Sequence, residues 1–357
     1  MVRPPGSTSG IRVPTSAADD PVEATPLPTP FGPSPGPPTP TASGPGGGLL
    51  AARRHANRRF ARLPAGVACG VVGVPGAVDA TPHRRVVLMG GGAEDDGASR
   101  RFVEGAGGGD VVVLRASGST SSYNDYFFED VGADPKPGAV TSLRIDESDA
   151  GGDAAVVGRV EGAGAVWLAG GDQHKYLTWP EPLLAALDGV SDGRTIGGTS
   201  AGAMSLGAFS FDAAEGGIRF RTALREPRDA AVSVRRSAFG QPELADVLVD
   251  THFSEREREG RLIAFLARVR QDFGIDAPRG IGIDEGTALI VDGDHFEVRG
   301  RGDVFVYALS GDVDSSGALD VECVLRIRLS DGDRGAWPVD LSNATELFVE
   351  GGRVRRR

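Results

Sequence analysis

The stretch that decides the fold is RTIGGTSAGAMSL, residues 194–206. It begins with a short apolar run, turns sharply through small residues, and continues as the start of a helix. Residues 198–202, GTSAG, fit the G-x-S-x-G pattern, in which small residues let a strained backbone project a serine hydroxyl above the end of a sheet. Ser200 is therefore a candidate nucleophile, and the N–H of Ala201, at the positive end of the helix, is a candidate oxyanion donor. The alternative is a small-residue turn that packs a helix against a strand.

Candidate strands recur on both sides of this stretch. RRVVLMGGGAED, residues 84–95, is typical of a buried strand followed by a glycine turn, and further strands are expected near residues 110–115, 140–145 and 165–169. Helix-compatible segments lie between several of them, and this alternation predicts an α/β fold with a parallel sheet covered on both faces. The first glycine turn does not favour a dinucleotide site, because Asp95 stands where G-x-G-x-x-G needs its third glycine.

The composition argues against several classes of function. A net charge of −11 and scattered arginines disfavour nonspecific nucleic-acid binding. Two cysteines, Cys69 and Cys323, cannot form a disulfide framework or support a metal cluster. Residues 312–323 partly fit a calcium loop, but its twelfth position is Cys323 rather than glutamate, which favours a polar turn. No stretch reaches the length of a transmembrane helix. We expect no metal, no cofactor, no nucleic-acid partner and no membrane span.

The first 80 residues differ in composition from the rest. Residues 1–48 hold more than half of the 24 prolines and few large apolar side chains, which predicts a disordered tail. Residues 51–80 run from several arginines through a mildly apolar segment to a small-residue site at Ala80, the order of an export signal. The segment begins about 50 residues too late for a signal peptide. An over-extended gene start and a flexible linker both explain this, so export and a cytoplasmic location are both open.

His252 is the candidate base for Ser200. Only two histidines follow the serine, and the other, His295, lies in VDGDHFEV, which predicts a hairpin with a turn at Asp292-Gly293. Residues 247–250 predict a strand, so His252 would stand just past its end on a rigid support.

A helix is predicted directly after this histidine. Ser254 and Glu257 fit a capping box, apolar residues from Leu262 to Phe273 fall on one face, and Gly274 is a typical stop. Three arginines near the helix start would suit a substrate carboxylate, since a planar guanidinium can bind it at two points. The alternative is solvated surface charge. These arginines are Arg256, Arg258 and Arg261.

Four separated blocks together resemble the cyanophycinase family of serine peptidases, which is related to the aspartyl dipeptidases. They are GGDQ at 170–173, the elbow at 198–202, DTHFSEREREGRL at 250–262 and GIGIDEGTAL at 280–289. The resemblance runs from about Val86 to Ala308. It implies a flavodoxin-like three-layer sandwich with a mostly parallel sheet, similar to class I glutamine amidotransferases. We expect a peptidase domain at 84–310, a small C-terminal β extension at 311–357 and, at the family level, a homodimer.

The resemblance also implies roles for the residues after the strand AVWLA. The backbone at Gly171 would supply a second oxyanion donor beside Ala201, and Gln173 would point into the substrate pocket. This block lies at the carboxyl end of a strand, where open α/β sheets place their ligands. The alternative is an ordinary strand-to-helix turn capped by Asp172.

The third member of the triad is implied by the acids after the elbow. Asp212 and Glu215 both lie at a distance that resembles the third triad position, and Glu215 matches better. Its carboxylate would hold His252 in the right tautomer and stabilise the imidazolium. The alternative is a solvated loop acid.

On the substrate side, Asp250 and the three arginines named above match positions of the family's pocket. Asp284 and Glu285 match a further family block for which the sequence indicates no chemical role. Thr251 stands where the family usually has glutamine, and two acidic residues replace smaller or apolar ones. These departures, at Glu257 and Glu259, leave the triad intact but alter the far side of the pocket.

The resemblance implies hydrolysis of a peptide or polymer, an aspartate backbone that carries arginine through side-chain amide links, to β-Asp-Arg dipeptides. An aspartyl dipeptidase, an α/β-hydrolase esterase and a member without turnover are the alternatives. The esterase is disfavoured, since no HGGG-type loop precedes the elbow and only 52 residues separate the serine from His252. The intact pair of Ser200 and His252 counts against the inactive member.

Overall fold

The computed structural model describes residues 62–76 and 80–357. The strands, in chain order, are β1 Val67–Gly73, β2 Arg85–Met89, β3 Val111–Arg115, β4 Ala139–Ile145, β5 Ala165–Leu168, β6 Thr195–Thr199, β7 Phe209–Phe211, β8 Val234–Arg236, β9 Val247–Thr251, β10 Arg279–Ile283, β11 Thr287–Asp292, β12 His295–Gly300, β13 Val304–Asp314, β14 Asp320–Leu329, β15 Arg334–Ala336, β16 Thr345–Glu350 and β17 Arg353–Arg356. The α-helices are α1 Asp96–Glu104, α2 Ala154–Glu161, α3 Gln173–Leu177, α4 Glu181–Asp188, α5 Ala201–Met204, α6 Phe220–Arg225 and α7 Glu259–Phe273. Shorter helical turns cover Tyr126–Asp130, Ser148–Gly152, Gly189–Ser191 and Pro242–Leu244.

The first sheet has nine strands in the order β1-β4-β3-β5-β6-β2-β11-β12-β15. Its five central strands, β4, β3, β5, β6 and β2, are parallel, while β1 and the last three strands pair antiparallel at its two sides. The carboxyl ends of the central strands therefore meet at one edge. The predicted α/β fold with a largely parallel sheet is confirmed.

The second sheet has eight strands in the order β17-β16-β14-β13-β10-β9-β7-β8. Here β7, β9 and β10 are parallel neighbours, and the other pairs are antiparallel. The expected C-terminal extension is not a separate appendage. Its strands β14, β16 and β17 continue this sheet, and β15 pairs with β12 in the first sheet.

The core follows the pleat of the strands. In β2, Val87 and Met89 face a cluster that contains Phe102 of α1, whereas Val86 and Leu88 face the opposite way. That opposite cluster also takes in apolar residues of β9, β10 and β13, so it joins the two sheets. A third cluster covers the second sheet with α7. The parallel strands are buried on both faces, which explains their unbroken apolar sequences.

Three local expectations are corrected. Folded structure begins before Arg84, since β1 pairs along its whole length with β4; residues 1–61 and 77–79 of the predicted tail and signal-like segment lie outside the described residues. The hairpin turn is Gly293-Asp294, one residue later than expected. Helix α7 begins at Glu259, and Glu257 has a φ of 51°, so the capping box at Ser254 does not form. The stop at Gly274, left-handed with a φ of 69°, is confirmed.

Within the described part of the chain, no helix is long and apolar enough to cross a membrane.

Candidate active site

Ser200 stands on a sharp turn between β6 and α5. Its φ of 52° and ψ of −122° are strained for a residue with a side chain. The turn is held in place because the Ser200 N–H donates to the Met89 carbonyl at 3.0 Å. The flanking glycines are required by space: a Cβ on Gly202 would overlap the Leu168 carbonyl oxygen, and one on Gly198 would lie 2.7 Å from the Gly202 carbonyl carbon. The small residues of G-x-S-x-G thus let helix and strand approach closely enough to project the serine.

His252 and Glu285 complete a hydrogen-bonded chain with this serine. The Ser200 Oγ lies 2.8 Å from His252 Nε2, and His252 Nδ1 lies 2.6 Å from Glu285 Oε1. His252 follows β9, and Glu285 follows the parallel neighbour β10, with Thr251 in register with Ile283. The two side chains meet because adjacent parallel strands end at the same level. This is the spatial order of a serine, histidine and carboxylate triad.

The acid beside the histidine is Glu285, so the expectation for Glu215 is wrong. Glu215 lies in an exposed turn four residues beyond β7. Asp212 is also engaged elsewhere, since its Oδ1 accepts from the Ala214 N–H and the Ser233 hydroxyl. The loop after β7 therefore forms part of the pocket rim, through Ala213 and two glycines, while its acids stay away from His252.

Three consecutive carbonyls at the end of β2 hold together the segments that carry Ser200, His252 and Glu285. Met89 accepts from Ser200, Gly90 accepts from the His252 N–H at 2.8 Å, and Gly91 accepts from the Gly286 N–H at 2.9 Å. Gly91 has a φ of 94°, and a Cβ there would lie 2.6 Å from His252 Nε2. The glycine turn after β2 is thus a support for the site, a role that the sequence did not indicate.

The surroundings keep the histidine neutral and the glutamate ionised. Burial lowers the pKa of His252 below its ordinary value, and the charges of Arg256 and Arg258 act in the same direction. The hydrogen bond that the imidazole donates to Glu285 opposes this lowering of the pKa. The hydrogen bond with His252 in turn lowers the pKa of Glu285. A neutral imidazole at Nε2 is the state that can accept a proton from Ser200.

A pocket of about 360 Å³ opens over Ser200. Gly171, Gln173 and Ala201 line it, as expected from the sequence. The backbone before Gly171 lies against the serine, because a Cβ on Gly170 would be 3.5 Å from Ser200 Cβ. Asp172 caps α3 by accepting from the His174 N–H at 2.9 Å, so capping and pocket lining occur together in this turn.

The three predicted arginines all line this pocket, but they differ in how they are held. Arg261 is buried, donates to both oxygens of Asp250 at 2.7 and 2.6 Å, and lies over the ring of Phe211. Arg258 donates to Asp250 at 3.1 Å and to the Thr251 carbonyl. Burial lowers the pKa of Arg258 to about 10, so it stays charged at neutral pH. Arg256 is exposed and, among the described residues, forms no ion pair.

Asp250 is therefore a support rather than a pocket residue, which corrects the expectation from the sequence. It is fully buried, and both its oxygens are used by arginines. A buried carboxylate needs such partners, and removing it would leave two cations without one. Of the three arginines in the pocket lining, Arg256 is the one that forms no ion pair with a carboxylate of the described residues.

Asp284 supports the same region. Its Oδ1 accepts from the Ser254 N–H at 2.9 Å, and its Oδ2 accepts from the Asp303 N–H at 3.1 Å. In a capping box the Ser254 N–H would bond to the Glu257 side chain, but here it bonds to Asp284. This bond fixes the turn at 253–258 beside the pocket. The available signal for Glu285 and Asp284 was a buried strand, residues 279–283, that ends in two consecutive acids.

Comparison with known proteins finds relatives that are named cyanophycinase. The chain is 33% identical over 190 residues to the cyanophycinase of Synechococcus elongatus, with 50% of this chain and 54% of that protein aligned. It is 33% identical over 152 residues to the cyanophycinase of Geminocystis herdmanii, with 41% of this chain and 50% of that protein aligned. The chain is thus similar in sequence to cyanophycinases over about half of its length. It spans about half the length of these cyanophycinases.

No family model matches the chain. A solved peptidase from an acI-B1 Actinobacterium is 21% identical, with a TM-score of 0.47, and the alignment covers 71% of this chain and 97% of that one.

Proposed function

We propose that this cyanophycinase-like protein is a serine-type peptidase with Ser200, His252 and Glu285 as its triad. One observation carries the proposal: the Ser200 Oγ, His252 and Glu285 form a continuous chain with contacts of 2.8 and 2.6 Å on a strained elbow. Such an arrangement activates a hydroxyl that is otherwise a weak nucleophile.

In the proposed reaction the Ser200 Oγ attacks the carbonyl carbon of an amide, and its proton passes to His252 Nε2. Glu285 accepts the Nδ1 hydrogen bond and stabilises the imidazolium. The N–H groups of Ala201 and Gly171 bind the oxyanion. His252 then donates the proton to the leaving amine, and water releases the acyl group from Ser200 by the same steps in reverse.

The proposed substrate is a poly-aspartate chain that carries arginine through side-chain amide links, cut to β-Asp-Arg dipeptides. Support comes from the relatives named cyanophycinase and from the exposed cation of Arg256 in the pocket. Arg256 would bind a substrate carboxylate beside the scissile bond. An aspartyl dipeptidase activity would use the same pocket on a shorter substrate.

The test is dipeptide release from purified arginine-bearing poly-aspartate by the full chain and by Ser200→Ala, followed over time. We expect dipeptides from the parent and a loss of about 10⁴-fold or more in the variant. Release by both proteins would rule out Ser200 as the nucleophile. If the parent releases nothing from the polymer but cleaves a β-aspartyl dipeptide, the substrate is the short one. Failure on both would overturn the peptidase proposal.

A further inference from the structure

A second cavity, of about 690 Å³, lies beside the catalytic pocket. The turn at 253–258 separates the two spaces, and Arg258 lines both of them. The other walls of the second cavity come from α6, the start of α7, β13, β14 and the final hairpin of β16 and β17. The two spaces therefore share the side chain of Arg258 as part of their walls.

Positive charge is concentrated around the second cavity although the chain as a whole carries a net charge of −11. Two glutamates, Glu257 and Glu259, also line it, but Glu259 is engaged by Arg326 at 2.7 Å and by the Tyr307 hydroxyl at 2.9 Å. Among the described residues, three of the lining arginines are exposed and form no ion pair. These are Arg221, Arg225 and Arg353.

Aromatic rings form one wall between these charges. Phe253 lies 5.4 Å from Phe305 and 5.8 Å from Tyr307, measured between ring centroids, and all three line the cavity. Phe253 and Tyr307 are buried, so Phe305 offers the ring surface that a ligand's carbon chain can cover while the guanidinium groups at the rim bind its carboxylates.

The cavity depends on the C-terminal strands. The Leu224 carbonyl, at the end of α6, accepts from the Leu319 N–H at 2.8 Å, and the Leu319 carbonyl accepts from the Gly352 N–H at 2.9 Å. These bonds fasten the turn of the last hairpin to α6, and Arg221 and Arg353 both line the cavity. Residues beyond Ala308, where the resemblance in sequence fades, thus build part of the wall.

We infer that this second cavity binds carboxylates of a part of the substrate chain remote from the bond being cut. The inference rests on the proposed function, since every repeat of that polymer carries a carboxylate for the arginines of the cavity and a guanidinium for Glu257 in its lining. Contacts made by the remote part raise the local concentration of the scissile part at Ser200 without touching the reacting atoms. Short substrates cannot use the cavity.

The test compares the double variant Arg221→Gln/Arg353→Gln with the matched control Arg355→Gln/Arg356→Gln, in which two arginines of the same hairpin outside the cavity are replaced. Both are assayed on arginine-bearing poly-aspartate of ten or more repeats and on a two-repeat fragment. We expect KM for the long chain to rise roughly five- to tenfold in the cavity variant only, with kcat and the two-repeat reaction unchanged. Equal effects on long and short substrates, or none, would overturn the inference.

A binding measurement separates this inference from the proposed function. In the Ser200→Ala background, co-sedimentation with insoluble arginine-bearing poly-aspartate should weaken roughly five- to tenfold when Arg221 and Arg353 are replaced. If the parent releases no dipeptide but co-sedimentation still depends on these arginines, the cavity binds the polymer and the peptidase proposal is wrong. If the parent releases dipeptides and co-sedimentation is unchanged when these arginines are replaced, the cavity does not bind the polymer and the inference is wrong.

Discussion

The serine side and the histidine–glutamate side of the site are built on different sheets and by different constraints. Ser200 is fixed by its own neighbourhood, since two glycines within two residues of it set the approach of β6 and α5. His252 and Glu285 lie 33 residues apart and meet only through the register of β9 and β10. A constraint between neighbouring residues leaves a pattern in the sequence. The pairing register of two strands that are distant along the chain leaves no such pattern. The end of β2 is the element that joins the two sides.

After Ser200→Ala, the largest effect is expected from breaking the histidine–glutamate side. Glu285→Gln keeps the size of the side chain but cannot stabilise the imidazolium, so kcat should fall by about 10³- to 10⁴-fold. Glu215→Gln is the matched control and should stay within about twofold of the parent, because that side chain is exposed and away from His252. Steady-state dipeptide release measures both. A comparable loss of kcat in the two variants would contradict the assignment of Glu285 as the triad acid.

The joint between the two sides is tested by Gly91→Ala. The added methyl group would overlap the imidazole of His252, and the φ of 94° is strained for alanine, so the ring must move from Ser200. A displacement on the order of 1 Å costs about 100-fold in rate, and we expect that loss in kcat. Gly189→Ala is the control, since nothing lies within 4 Å of its Cβ and its φ is −63°. Normal kcat in Gly91→Ala would contradict the role assigned to this turn.

A smaller effect is expected on the substrate side. Arg256→Gln removes the exposed cation of the pocket without disturbing Asp250, so KM for a carboxylate-bearing substrate should rise about tenfold while kcat changes little. Arg261→Gln should instead lower the free energy of unfolding by about 3 kcal/mol, because it leaves buried Asp250 without its main partner. Initial-rate kinetics and thermal unfolding separate the two. If Arg256→Gln lowered the free energy of unfolding and left KM unchanged, the assignment of Arg256 to substrate binding would be wrong.

The smallest expected effect is a shift in the pH profile. The base must be neutral, and burial lowers the pKa of His252, so kcat/KM should fall only when the pH drops below the ordinary histidine value of about 6.5. Glu285 raises the pKa of His252. In Glu285→Gln this pKa should therefore be lower, and the residual kcat/KM should begin to fall at a lower pH than in the parent. Initial rates between pH 4 and 8 measure both, with Glu215→Gln as reference. An acid limb above pH 6.5 in the parent would contradict the environment described for His252.

Much of the fold and half of the site could be predicted from the sequence because their signals are local. The buried strands, the elbow at Ser200 and the apolar face of α7 up to Gly274 are each encoded by one short, continuous segment of sequence. His252 followed from elimination among few histidines. Glu285 could not be found in this way, because two acids after β10 acquire meaning only once β9 and β10 are known to be parallel neighbours.

The same reason explains the two misread turns. Ser254 and Glu257 fit a capping box in isolation, but Asp284 from the neighbouring strand takes the Ser254 N–H and α7 starts later. The glycines after β2 looked like a simple turn, and their carbonyls gain partners only from the segments that carry Ser200 and His252. In both cases tertiary contacts override a correct local pattern.

The pairing of β1 with β4 affects where a shortened protein can begin. A protein that starts at Thr81, the boundary suggested by composition, would lack all seven residues of β1 and leave β4 as an open margin of the first sheet. An uncovered strand with free N–H and C=O groups is a template for pairing between molecules and so for aggregation. Versions for crystallisation or assay should therefore retain the chain from Arg62 onward, and poor solubility of shorter ones would reflect this lost margin rather than a defect at Ser200.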